Sequence, residues 1–433
     1  MLAASATFFL VSLDTLIVNV ALPTIAAQLG GSMASQQWVI DGYTLAFASL
    51  LLIAGSLTDR LGARKLFAAG TALFALASIL CTIASSMGAL VAGRVLLGAA
   101  AAAVLPASMT IIREAFDDEA QRSRALGVWM AGGSVAAAAG PLLGGLLTPI
   151  HWSLIFAVNV PVCALVLLAT THVAPSPRRP ATFDALGQLL ATVGLAAFVG
   201  GLIEAGELGF SSPLAPALLL GALACLIAFV RSQARAEHPM MPLPLFGSQG
   251  MRVALLTGFA FILSWFGTVF LCSTYLQQGL GLSPLAAGLA FVPAVSSFIG
   301  NLASGRLAAR FGARLPMAAG LSFEVAGLVL AAALAPDLTL ALTAALVTLI
   351  GFGGSMAMPS TSGLVLASVD ARQSGVASAL FNTFRQVGAS VGIALFGLFV
   401  AVSPSMGSAL RLSFAIAAAL VACAVVATLR LRR

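Results

Sequence analysis

Apolar runs of about 20 residues follow one another along the whole chain, punctuated by Gly, Pro and charged residues. Each run has the length that carries a helix across a hydrocarbon core. The pattern predicts spans near residues 3–26, 38–58, 66–86, 89–112, 125–147 and 152–172, then 185–204, 214–231, 252–276, 284–304, 315–335, 338–360, 375–400 and 409–429. The expected fold class is an all-α polytopic membrane protein with 14 transmembrane helices.

Loop charge tests that number, because loops on the cytoplasmic side collect Lys and Arg. The even-numbered connections and the C-terminal tail hold every basic residue except Arg94, Arg385 and Arg411. Arg411 lies in an odd-numbered connection, and Arg94 and Arg385 fall inside spans. A missed or invented helix would scramble the alternation, so the charges support 14 spans with both termini cytoplasmic.

Composition narrows the class further. With 60% hydrophobic and 8% charged residues and a mean hydropathy of +1.06, the chain is unlike an ordinary soluble domain. The net charge of +7 does not point to nucleic acid, since the basic residues are scattered singly between apolar spans. Cys81, Cys163, Cys225, Cys272 and Cys423 lie in apolar segments without metal-type spacing and read as small core hydrophobes. His151, His172 and His238 stand near span ends and far apart, so neither a metal site nor an enzyme is expected. Met1 leads into an apolar run without the basic stretch of a cleavable leader; either the chain begins at its first helix or its start lies upstream. Abundant Arg and Ala with almost no Lys point to a GC-rich bacterial source.

A repeat is visible. GSLTDRLGAR at Gly55–Arg64 recurs as GRLAARFGAR at Gly305–Arg314, and Asp118, Gln121, Ala125 and Gly140 match Asp370, Gln373, Ala377 and Gly392. Eight spans rather than six separate the two copies, so a six-plus-six architecture has gained a helix pair between Asp184 and Arg231. Parallel six-helix repeats are a transporter architecture with the substrate site near midplane between the halves.

Three motifs carry a family resemblance. The loop after the second span reads G-x-x-x-D-R-x-G-x-R with Gly55, Asp59, Arg60, Gly62 and Arg64, which resembles the cytoplasmic signature of the major facilitator superfamily. In the fifth span Gly140, Pro141, Gly144 and Gly145 form G-P-x-x-G-G, similar to the signature of that superfamily's antiporter branches. LDTLIVNVALPTI at Leu13–Ile25 is similar to the first-span motif of the fourteen-helix drug/proton antiporters. The stretches beginning at Gln37, Phe183, His238, Tyr275 and Asn382 agree with the same family, while Ala63, Leu97 and Ser153 depart from it. The resemblance implies a major facilitator fold with a bundle over 1–173, a linker and added pair over 174–250, and a second bundle over 251–433. It also implies a functional monomer in the bacterial cytoplasmic membrane that exports lipophilic molecules, with the proton gradient as energy source and no cofactor.

Asp14 is the sharpest chemical candidate. A carboxylate inside an apolar span gives up its hydration, so a proton and a lipophilic cation could compete for it. Arg94 aligns with the superfamily arginine that the resemblance implicates in proton relay; its guanidinium stays charged and would hold a nearby acid ionised or lock helices together. Asp41 is expected near the outer start of the second span, either solvated or touching substrate. Glu324, with no basic neighbour within a turn, is expected to face a cavity as a second proton or cation site. Arg385 and Gln386 share a helical stripe with Asn382 and Ser378, expected along the pathway or the seam.

Gly132, Ala136, Gly140 and Gly144 form a small-residue ridge, which with Pro141 and Gly145 is expected to make a tight, kinked hinge against the other half. Asp59 and Arg60 are expected to latch the inner gate through ion pairs. Phe261, Trp265 and Phe266 could offer ring faces to a cation, with lipid contact the commoner role. Glu204 and Glu207 read as a solvated rim, and Asp184 as a helix start. The leading reading is a proton-coupled exporter of hydrophobic cationic molecules. The alternative is an exporter of a specific endogenous antibiotic or an anionic metabolite, with Arg385 binding the cargo.

Overall fold

A computed structural model describes residues 1–116, 118–178, 184–209, 211–237, 239–370 and 373–431. Arg179, Phe183, His238, Arg372, Arg432 and Arg433, all used in reading the sequence, lie outside the described residues, as does the side chain of Arg122.

The described chain is helical throughout, the expected outcome where lipid offers the backbone no hydrogen bonds. The first part comprises α1 (Leu2–Leu29), α2 (Met33–Leu61), α3 (Ala63–Thr82), α4 (Met87–Ala115), α5 (Glu119–Leu147), α6 (Leu154–Ala157) and α7 (Asn159–Thr170). Next come α8 (Ala185–Leu208) and α9 (Leu214–Arg235). The last part comprises α10 (Gln249–Thr274), α11 (Pro284–Leu289), α12 (Ser296–Phe311), α13 (Arg314–Leu334), α14 (Leu340–Ala367), α15 (Ser374–Val402) and α16 (Met406–Leu429). Hydroxyl and carboxylate caps start many of them: Ser32, Ser86, Asp118, Asp184, Ser248, Thr339 and Ser405 each accept a bond from the backbone three residues on.

Among the described residues, ten helices are long and apolar enough to cross a membrane, or up to 11 if the bent α2 is one span. The chain is thus a multi-pass membrane protein, with fewer uninterrupted spans than the hydropathy pattern suggested. Helix α2 bends by 57° between Leu51 and Ile53. The stretch expected at 152–172 divides into α6 and α7, and that at 284–304 into α11, a 3-10 turn at Val292–Val295 and α12. Apolar runs register hydrophobicity but not the breaks within it.

Two large hydrophobic cores form. One draws on α1 to α4, α6 and α7 together with Phe270 and Ile393, and the other on α10, α11 and α13 to α16 together with Leu16. Helices α8 and α9 pack on each other, and α8 also lies against both α2 and α15. Leu220, Leu223 and Leu226 of α9 stay exposed, a surface suited to acyl chains. Cys423 is exposed and Cys225 half-buried, so only Cys81, Cys163 and Cys272 fill the core as expected.

The sequence repeat has a geometric counterpart. Gly62 and Gly312 end α2 and α12 at φ of 88° and 81°, a conformation that side chains with a Cβ rarely adopt. Just after each turn an arginine caps the end of a distant helix: Arg64 donates to the Thr171 carbonyl at 3.2 Å, beyond α7, and Arg314 donates to the Leu429 carbonyl at the end of α16. The end of the bundle holding these two turns is here termed the basic face.

Candidate functional site

Asp14 and Arg94 meet in the first core. Both are fully buried, and Arg94 Nη1 donates to Asp14 Oδ2 in the one ion pair among the described residues. Asn159 at the start of α7 donates to Asp14 Oδ1 at 2.9 Å and to Ser78 Oγ at 3.3 Å. Arg94 Nε donates to the Val39 carbonyl of α2 at 2.9 Å, and its guanidinium carbon lies 4.3 Å from the Tyr43 ring centroid. Arg94 Nη2 and Asn159 Oδ1 have no partner. The cluster joins α1, α2, α3, α4 and α7.

Asp41 is fully buried rather than interfacial. Helix α2 starts at Met33, five residues before the expected span, which puts Asp41 two turns inside the helix. Thr44 Oγ1 lies 3.2 Å from Asp41 Oδ1 and 2.6 Å from Ser390 Oγ of α15, while Asp41 Oδ2 has no partner. Asp41 therefore abuts the contact between the halves.

Glu324 faces helix packing rather than a cavity. It is fully buried, Ser264 of α10 contacts its Oε1, and Oε2 is bare. The close approach of Gly320 and Gly353 seats α13 directly on α14 and leaves no lumen there. Phe261 and Trp265 do not face lipid: they are buried against Gly354 and Gly351 of α14. Arg385 is half-buried, donates to Asn382 Oδ1 at 3.2 Å, and has a bare Nε; Gln386 beside it is half-buried too.

The glycine ridge of α5 faces α1 of its own half rather than the other half. A Cβ on Gly132 would stand 3.1 Å from the Ser5 carbonyl, one on Gly140 2.9 Å from Leu16 Cβ, and one on Gly144 2.6 Å from the Ile17 carbonyl. The C-terminal part of α5 also meets the other half: Gly145 meets Pro284 and Leu285, and the Pro141 carbonyl meets Gly288 of α11. The helix continues through Pro141.

In the loop motif, Asp59 and Arg60 are exposed and form no ion pair among the described residues, so the expected latch is not closed here. The contacts come instead from Gly62 and Arg64. Ser176 Oγ takes a bond from Arg64 N at 3.1 Å and donates to Glu114 at 2.6 Å. Gly55 has open space around it. Glu207 is more than a solvated rim, since it accepts from Ser32 Oγ at 2.9 Å at the start of α2. Asp184 caps α8 and also accepts from Gln233 at 2.6 Å.

Hydrogen bonds between the halves gather away from the basic face. Ser273 donates to the Asn19 carbonyl at 3.0 Å and Gln277 to the Val20 carbonyl at 3.0 Å. Gln37 donates to the Ala394 carbonyl at 3.2 Å. Nearer the basic face, Phe246, Arg252, Leu255, Leu256, Phe259 and Phe384, all of the second half, line an open apolar cavity of about 300 Å³.

Sequence reasoning singled out none of Asn159, Ser78, Ser264, Thr44, Ser390, Ser273 or Gln277. Their signal was weak: single uncharged polar residues in apolar runs, which packing employs as often as function does.

The chain matches the family model described as Major Facilitator Superfamily over residues 4–393, with a second match at 254–433. Multidrug efflux pump LfrA of Mycolicibacterium smegmatis is 35% identical over 389 residues, covering 89% of this chain and 77% of that protein. Methylenomycin A resistance protein of Bacillus subtilis is 32% identical over 392 residues, covering 90% and 84%. Cephamycin export protein CmcT of Amycolatopsis lactamdurans is 36% identical over 400 residues, covering 89% and 82%. Among solved structures, a D-xylose-proton symporter superimposes with a TM-score of 0.69 at 14% identity, covering 99% of this chain and 96% of that one; at that identity the likeness concerns the fold.

Proposed function

This chain belongs to the Major Facilitator Superfamily and is a transporter rather than an enzyme, and from that premise we propose that it is a proton-coupled antiporter exporting hydrophobic, cationic drugs or toxic small molecules by alternating access. We place it in the fourteen-helix drug/proton branch, with six-helix bundles over 1–173 and 251–433 and an added pair within 174–250. The seating of α8 against both α2 and α15 supports an added pair spanning the seam. The loop charges support a cytoplasmic location for the basic face and both termini. On this reading the described state is inward-facing, with Ser273, Gln277 and Gln37 holding the halves together on the outer side.

The buried Asp14–Arg94 pair carries this reading. Because Arg94 already occupies Asp14, proton and arginine compete for the carboxylate. A proton on Asp14 cancels the attraction and leaves Arg94 held by the Val39 carbonyl and the Tyr43 ring, loosening α1 from α4. The aromatic cavity takes cargo while the pair is intact, and protonation from outside returns the carrier inward without it. Relatives named for multidrug efflux and antibiotic resistance support the cargo class. A susceptibility panel in a host lacking its own efflux pumps, with and without an uncoupler, tests the reading. Resistance that the uncoupler abolishes is expected, and resistance indifferent to it would refute proton coupling.

One observation favours a second reading. Arg385 has a bare Nε and no ion-pair partner among the described residues, and Arg252 lines the cavity, an arrangement suited to an anion. A specific antibiotic or anionic metabolite would then be the cargo, in the manner of a relative named for cephamycin export. Competition between cationic and anionic compounds in the same host separates the two.

A further inference from the structure

We propose that Glu324 and Ser264 form a second proton-binding site, inside the second hydrophobic core and chemically independent of the Asp14–Arg94 pair. No ion pair balances this carboxyl among the described residues. Helix α14, packed directly on α13, has no titratable side chain from Leu340 to Ala367. The titratable groups on the other neighbours are Arg252 and Cys272 of α10, with Tyr275 just after it, Arg306 and Arg310 of α12, and Arg411 and Cys423 of α16, with Arg430 after it. None forms an ion pair with Glu324 among the described residues, and Arg411 is engaged by the Ala335 carbonyl.

The hydrogen bonds around Ser264 leave room for a proton on the carboxyl. Ser264 has one hydroxyl proton and two acceptor neighbours, the Phe261 carbonyl at 2.9 Å and Glu324 Oε1. With the serine proton on the carbonyl, the bond to Glu324 is made by a proton on the carboxyl that donates to Ser264 Oγ. The ionised alternative would bury a full charge on one hydroxyl with Oε2 bare, an arrangement that interiors do not sustain.

A small void lies further along the same helices. Thr268, one turn along α10 from Ser264, and Thr343 of α14 have buried hydroxyls without a partner, and both line a cavity of about 10 Å³ that also touches Ala331, two turns beyond Glu324. That is room for about one water bridging two orphaned hydroxyls, on the side of Glu324 away from the basic face. Helix α10 also leads to Ser273 and Gln277, which hold it to α1 away from the basic face. Proton loss at Glu324 places a bare charge behind the helix that makes that contact, so occupancy of the site and the contact between the halves are linked.

Infrared difference spectroscopy on the full chain in liposomes, between acidic and alkaline buffers, tests the proposal without reference to cargo. A protonated-carboxyl C=O band that titrates reversibly is expected, absent from Glu324→Gln, retained in Asp14→Asn and shifted in Ser264→Ala. A Glu324→Gln spectrum identical to wild type would overturn the proposal, as would a Glu324 band that no buffer titrates. If Glu324→Gln does not fold, Ser264→Ala decides: a shifted band supports the site and an unchanged band overturns it.

Discussion

Removing the partners of the Asp14–Arg94 pair one at a time and then together should give strongly non-additive losses of stability. Breaking a buried pair by deleting one member costs ~3–5 kcal/mol, because the other charge stays buried and uncompensated. The two sides are unequal here. Arg94→Met leaves Asp14 only the Asn159 amide at 2.9 Å and belongs at the upper end of that range. Asp14→Asn leaves Arg94 the Val39 carbonyl at 2.9 Å and the Tyr43 ring at 4.3 Å and belongs at the lower end. The double variant removes both charges and should return close to wild-type stability, since a neutral replacement of a buried pair is often no worse than the pair. Denaturant unfolding in detergent micelles, followed by tryptophan fluorescence, measures the cycle, with an expected coupling of at least ~2 kcal/mol. Losses that simply add, to within ~0.5 kcal/mol, would refute the reasoning.

Gly144→Leu should separate α1 from α5, since even a Cβ would stand 2.6 Å from the Ile17 carbonyl; a loss of ~1–3 kcal/mol and of flux is expected, whereas Gly127→Ala, with open space around it, should cost neither. Ser273→Ala with Gln277→Ala removes the bonds from α10 to α1, worth ~1–3 kcal/mol together. Spin-label distances across the opposite face should register a ~5–150-fold shift toward its open state, and an unchanged distribution would contradict the role given to these bonds. Arg64→Ala should destabilise more than Asp59→Ala, which should stay within ~0.5 kcal/mol of wild type by the same unfolding assay, because Arg64 caps a helix end while Asp59 is exposed and unpaired.

Much of this fold was legible because hydrophobicity and loop charge are one-dimensional signals. The repeat puts Arg64 and Arg314 at matching positions, and each caps the end of a distant helix, a role its pattern did not reveal. What the sequence did not carry was rotation about each helix axis. Asp14 and Arg94 each stood out as a charge in an apolar span, but their meeting, 80 residues apart, and its completion by Asn159 depend on which faces of α1, α4 and α7 converge. The same ignorance of rotation turned the α5 ridge toward the wrong partner: glycine spacing marks a close approach without naming the helix that approaches. Asp41 was misplaced by a boundary, since the polar residues of Met33–Gln37 continue a helix that hydropathy began at Trp38. Glu324 has no basic neighbour within a helical turn, yet the Ser264 it meets, 60 residues away on α10, leaves no mark in the pattern.

Proton-driven uphill export through Asp14 is the central claim, and flux in proteoliposomes tests it most directly. Wild-type protein should accumulate a lipophilic cation against its gradient when a pH gradient is imposed, and Asp14→Asn should only let it equilibrate. Uphill accumulation by Asp14→Asn at the wild-type level would contradict the account.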